Sequence, residues 1–117
     1  MDQEIRFCKS PDGVRIAYAS VGSGYPIIVC QGWIAHVELD WMGPPRGFWE
    51  RLAERYRVVR YDRRGTGLSD RKVEDFSLAA QTGDLTAVVK ATGEPGVALL
   101  GFSAGGPPVI AYAAAHG

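Results

Sequence analysis

The sequence predicts an α/β fold: an antiparallel N-terminal hairpin leading into a mostly parallel sheet with helices on both faces. Three observations predict it. Short β-branched and aromatic runs alternate with segments of helical periodicity. The first two runs are separated by a turn signal rather than a helix. The later runs are almost continuously apolar, as strands covered on both faces are. No repeat, low-complexity tract or linker divides residues 1–117, which are read as one domain.

The elements follow in order. "EIRFC" and "VRIAYAS" flank "SPDG", whose Pro, Asp and Gly favour a tight reversal, and so form the hairpin. "PIIVCQ" is a buried third strand. After a loop rich in Trp, Gly and Pro, Phe48, Leu52, Ala53 and Tyr56 recur at helical spacing, which predicts a helix over "FWERLAERY" with those residues inward; "RVVRY" is a fourth strand. Ser77 is the N-cap of a helix through "LAAQTGDLTAVVKAT", with Leu78, Leu85, Val88 and Val89 mostly on one face and Gly93 as its stop. "GVALLGF" is a fifth strand and "AGGPPVIAYAAAH" a closing helix. Pro107 and Pro108 fit its first turn, where the amides have no intrahelical partner.

Composition narrows the function. Thirteen basic and thirteen acidic residues cancel, and no basic cluster exceeds Arg63-Arg64, so neither nucleic acid nor an anionic membrane is an expected partner. The start, "MDQEIRFCKSPDG", has no basic segment followed by an apolar one, and no apolar run approaches the ~20 residues that span a bilayer, so a cytoplasmic location is expected. Cys8 and Cys30 sit in apolar contexts without ligand spacing and read as reduced structural thiols; no metal or cofactor is expected.

The stretch that carries chemistry is "LLGFSAGGPP". A serine between the end of a buried strand and the start of a helix sits on a tight, strained reversal that crowds the residues two places away on either side. Gly101 and Gly105 occupy those places, giving G-x-S-x-G around Ser103, and the helix that follows aims its first amides at the serine oxygen. In "VCQGWIAH", Gly32 lets the chain turn after the third strand so that a second amide can face the serine. The N–H groups of Trp33 and Ala104 are the candidate oxyanion donors, although Gln31-Gly32-Trp33 also reads as an ordinary turn with an aromatic anchor. "YDRRGTGLSD" reads as a structural turn braced by a charge-assisted bond between Asp62 and Arg64; Asp70 stands where a dinucleotide loop would need its third glycine.

These stretches together resemble the N-terminal half of an α/β-hydrolase. "SPDGVRIAYASVGSG", "QGW", "YDRRGTGLSD" and "GFSAGG" span nearly the whole chain in that family's order. The resemblance implies a truncated hydrolase core with Ser103 as nucleophile and the amides of Trp33 and Ala104 as oxyanion hole. The sequence departs from the family at Gln31, where His is common. The triad acid and histidine implied by the family fall beyond Gly117, as does the cap over the pocket.

Of the residues present, His116 lies about 18 Å along its helix from Ala104 at 1.5 Å per residue, too far to serve Ser103. His36 lies near the rim and is the one candidate base, against a plain loop histidine. Asp40, Asp62, Asp70 and Asp84 read as solvated or loop-bracing. Trp33, Trp41 and Trp49 line an apolar acyl pocket or simply pack. The resemblance also leaves one side of the fifth strand bare, so a homo-oligomer, or association with a complementing C-terminal fragment across that edge, is expected. The expected function is a serine hydrolase of small carboxylic esters acting through an acyl-enzyme on Ser103. The alternatives are a weak or inactive hydrolase-like core that binds or oligomerises, or a fragment of a full-length hydrolase.

Overall fold

The computed structural model describes residues 2–32, 35–93 and 95–116. β1 (Glu4–Lys9) and β2 (Arg15–Val21) form the predicted antiparallel hairpin, with Glu4 opposite Ser20 and Lys9 opposite Arg15. β3 (Pro26–Cys30), β4 (Arg57–Tyr61) and β5 (Ala98–Gly101) complete a five-stranded sheet of order β1-β2-β4-β3-β5. β2 and β4 pair antiparallel, whereas β3 pairs parallel with both β4 and β5. β3 is therefore interior and β5 is an edge, bonded on one side only.

Alternation along the strands sends side chains to two cores. Ile16, Tyr18, Ile28, Cys30, Val59 and Tyr61 pack with Leu85 and Val88 of α3 (Leu78–Thr92), joined by Val109 and Tyr112 of α4 (Gly106–His116). On the opposite face Val21, Val29 and Val58 pack with Trp41 of α1 (Val37–Trp41) and with Trp49 and Ala53 of α2 (Pro45–Ala53). Adjacent residues such as Val58 and Val59 thus serve different layers, which is why β3 and β4 are apolar without a break. The thiol of Cys30 accepts from the Tyr61 hydroxyl at 2.9 Å, and burial pushes the Cys8 thiol up to about 11; both cysteines are free. No described helix is long and apolar enough to cross a membrane.

Two expectations change. α2 begins at Pro45 and ends at Ala53, so Phe48 and Tyr56 are exposed by 59% and 37%, and Trp49 takes the inward place assigned to Phe48. The gain is a larger ring over the buried Arg60 guanidinium, 5.4 Å from the Trp49 centroid and 5.8 Å from that of Trp41. Trp41 and Trp49 are accordingly core residues rather than pocket wall. The second change is α1, which sequence periodicity does not reveal because it is only five residues long.

Arg64 and Asp62 are also partnered differently. They do not brace one another. Both Asp84 carboxylate oxygens accept from Arg64 Nε and Nη2 at 2.8 Å, and Asp12, Ser10 and the Asp75 carbonyl take its remaining donors. Asp62 accepts instead from the amides of Val37 at 2.9 Å and Leu68 at 2.8 Å, tying the start of α1 to the turn after β4. Gly67, at φ +51°, leaves room for that carboxylate: a Cβ there would overlap it. Burial raises the Asp62 pKa, and the two amides oppose the rise.

Candidate active site

The turn after β5 has the geometry its glycines predict. Phe102 is extended, and its amide continues the β3–β5 ladder by donating to the Cys30 carbonyl at 3.0 Å. Ser103 then adopts φ +49°, the only positive φ among the described non-glycine residues, and opens a single 3-10 turn through Gly105 that leads into α4. A non-glycine residue in this region is strained by about 1–3 kcal/mol and persists only where its surroundings enforce it. Here they do. A Cβ at Gly105 would overlap the Cys30 carbonyl oxygen and lie 2.7 Å from its carbon; one at Gly101 would lie 3.1 Å from both the Gly105 oxygen and the Gly106 Cα. Close backbone approach therefore requires glycine at 105 and makes a side chain tight at 101, and the serine they flank is exposed at the top of the sheet.

The amides of Phe102, Gly105 and Gly106 are engaged within the turn or ladder, and that of Ala104 takes part in none of these bonds. Trp33, the other expected oxyanion donor, lies outside the described residues. Gly32 is placed beside the nucleophile: a Cβ there would be 3.8 Å from both Ser103 Cβ and the Phe102 carbonyl oxygen. Its φ is not positive and 3.8 Å is an ordinary contact distance, so neither a left-handed turn nor close approach demands glycine here, contrary to the expectation that Gly32 is what lets the chain turn.

His36 has a defined task at the N-terminus of α1. Its Nδ1 accepts from the amides of Glu38 at 3.2 Å and Leu39 at 3.1 Å, while Asp40 reaches back to the His36 amide at 3.0 Å. A neutral imidazole has one acceptor nitrogen, and the cap uses it, so the proton sits on Nε2 and the ring in this state has no lone pair free for a general base. His116 caps the far end of α4, with its ring stacked on Tyr112 at 4.0 Å and its Nδ1 3.0 Å from the Tyr112 carbonyl oxygen. Among the described residues no hydrogen bond joins either histidine to Ser103. Asp62 and Asp84 are occupied in loop bracing, and among the described residues no group of three or more His, Cys, Asp or Glu side chains could hold a metal ion.

A cleft of about 460 Å³ adjoins the turn at Ala104, with Arg63, Thr66, Phe76 and Gln81 in its walls. This cleft is not legible in the sequence, because its walls come from the β4 turn, the segment before α3, the first turns of α3 and the β5 turn.

The comparisons with known proteins agree with this geometry. Residues 25–117 match the family described as alpha/beta hydrolase fold. A non-heme haloperoxidase of Rhodococcus erythropolis is 35% identical over 111 residues, covering 95% of this chain and 39% of the relative. An esterase from Rhodococcus sp. ECU1013 superposes with a TM-score of 0.83 at 37% identity, over 97% of this chain and 41% of its own. An esterase from Exiguobacterium antarcticum gives 0.81 at 31% identity, over 95% and 40%. A Vigna radiata epoxide hydrolase mutant gives 0.83 at 23% identity, a likeness of fold alone. The chain thus spans about two-fifths of the length of these relatives. On the family match and on the strained serine turn, this chain belongs to the alpha/beta hydrolase fold family.

Proposed function

We propose that this chain carries the nucleophile of a serine hydrolase acting on carboxylic esters. Ser103 Oγ attacks the acyl carbonyl, the alcohol leaves, and water releases the acid from the acyl-enzyme. The observation that carries the reading is the positive φ of Ser103, held between Gly105, where a Cβ would overlap the Cys30 carbonyl, and Gly101, where it would be tight. The amide of Ala104 is the oxyanion donor on the described side of the site, and that of Trp33 is its proposed companion. The two esterases among the structural neighbours favour an ester over other substrates. The base and acid come from residues other than His36 and His116, so turnover by these 117 residues alone is weak, at the ~10³–10⁴-fold acceleration that binding and an oxyanion hole supply without a triad.

The test is labelling of the purified chain with a fluorophosphonate, read by intact mass and peptide mapping. One adduct on Ser103, absent in Ser103→Ala, is expected. No adduct on a folded chain overturns the nucleophile assignment and leaves the second reading, a hydrolase-like binding core, which the engaged state of His36 favours.

The open edge of β5 fits the addition of a strand from a second copy. Unpaired strand edges recruit chains, and β5 is bonded on one side only. Light-scattering mass above that of the monomer at micromolar concentration is expected; a monomer mass counts against it.

A further inference from the structure

We propose that the cleft beside Ser103 is a subsite for a carboxylate, with Arg63 as the residue that selects it. The inference rests on the assignment of Ser103 as nucleophile and narrows the substrate to esters that carry an acid group on an apolar arm. Two arginines line the cleft, and their surroundings differ. Arg64 is spent: its donors are taken by Asp84, Asp12, Ser10 and the Asp75 carbonyl. Among the described residues Arg63 pairs with no carboxylate. Its Nη2 donates to the Gln81 side-chain oxygen, while Nη1 is buried without a hydrogen-bond partner.

A guanidinium nitrogen taken from water and left unmatched is costly, and such groups in folded proteins call for an explanation. The cleft supplies one. Its walls include Ala104, next in the chain to the nucleophile, the apolar Phe76 and Arg63. A ligand anchored at Ser103 and lying in this cleft shares it with an aromatic side chain and with a planar cation whose fork matches the two oxygens of a carboxylate. Nη1 is covered in the unliganded chain, so engaging it turns the side chain about its terminal torsions and alters the bond to Gln81. That makes the Gln81 side-chain amide a reporter of the event.

The experiment uses the 117-residue chain carrying Ser103→Ala, so that the outcome does not depend on turnover. Benzoate and benzamide, matched in ring and shape, are titrated against the amide resonances of Thr66, Gln81 and Ala104. Benzoate is expected to shift them with an affinity about tenfold or more above benzamide, the ratio one charge-assisted hydrogen-bond pair supports. Arg63→Met should bring benzoate down to the benzamide level and leave benzamide unchanged. Arg63→Lys, which keeps the charge but not the fork, should fall between and serves as the folded control if Arg63→Met does not fold. Equal affinities for the two ligands, or benzoate binding unaltered in folded Arg63→Met or Arg63→Lys, overturns the proposal. Loss of the Ser103 adduct with the benzoate preference intact would instead remove the nucleophile reading and leave a carboxylate cleft.

Discussion

Gly105→Ala is expected to lower stability by about 3 kcal/mol or more and to abolish labelling of Ser103, because the added methyl has nowhere to go. It would overlap the Cys30 carbonyl oxygen, the same oxygen that accepts the Phe102 amide and so fastens β5 to β3, and it would stand 2.9 Å from the Gln31 oxygen. These are backbone atoms of the interior strand β3 and of the residue that follows it, and cannot rotate aside. Relief requires the turn to lift off β3, which releases the constraint that holds Ser103 at φ +49°. Gly101→Ala meets looser contacts at 3.1 to 3.2 Å, one of them a Val109 methyl, and should cost about 1–3 kcal/mol. Gly106→Ala meets nothing within 4 Å at the start of α4 and should gain about 0.5–1 kcal/mol. Urea melts of the three variants, with fluorophosphonate labelling in parallel, test the order. A Gly105→Ala chain that melts within about 0.5 kcal/mol of the parent, or still labels at Ser103, would show that the close approach does not shape the turn.

Such a series can be set out from the sequence because the serine turn is local. Strand, glycine, serine, glycine and helix are contiguous, and the sterics that link them act within a few residues. The same holds for the β1–β2 hairpin around "SPDG" and for Ser77 and Gly93, which cap α3 as expected, the serine oxygen accepting from the Ala80 amide and the glycine lying at φ +73°. Legibility fails where a contact joins distant segments. His36 looked like a rim base because its role as a cap depends on a five-residue helix too short to show a period. Phe48 and Trp49 are both apolar and adjacent, and which of them turns inward depends on partners from distant strands, Val21, Val29, Val58 and Arg60. Asp62 and Arg64 are near in sequence and opposite in charge, yet each is taken by a partner from another element. Asp84 reads as a surface residue of an amphipathic helix until the turn after β4 is laid against it.

That last contact carries the second large effect: Asp84→Asn is expected to cost about 3–5 kcal/mol. Arg64 and Asp84 side chains are 1% and 2% exposed and meet through two bonds of 2.8 Å, joining the β4 turn to α3. The asparagine keeps the shape but places an NH₂ against an N–H donor and leaves the guanidinium short of its buried counter-charge. A loss of this size is a large share of the stability of a domain this small. Asp12 belongs to the same cluster with a different weight. Its side chain is 43% exposed, water screens the pair, and Asp12→Asn should cost under about 1 kcal/mol. The Arg64 guanidinium holds the Asp12 carboxyl below its ordinary range, so the folded value lies under the unfolded one. Its contribution is present above the unfolded value and is lost as pH falls through the folded value, and Asp12→Asn should remove that part of the acid dependence. Replacing both Arg64 and Asp84 by Met should recover much of the single-variant loss, since two apolar side chains leave no charge stranded. Urea melts at neutral and acid pH decide the matter. If Asp84→Asn costs less than about 1 kcal/mol, or the double variant is worse than either single one, the pair is not what holds α3 against the turn that carries Arg63 and the cleft.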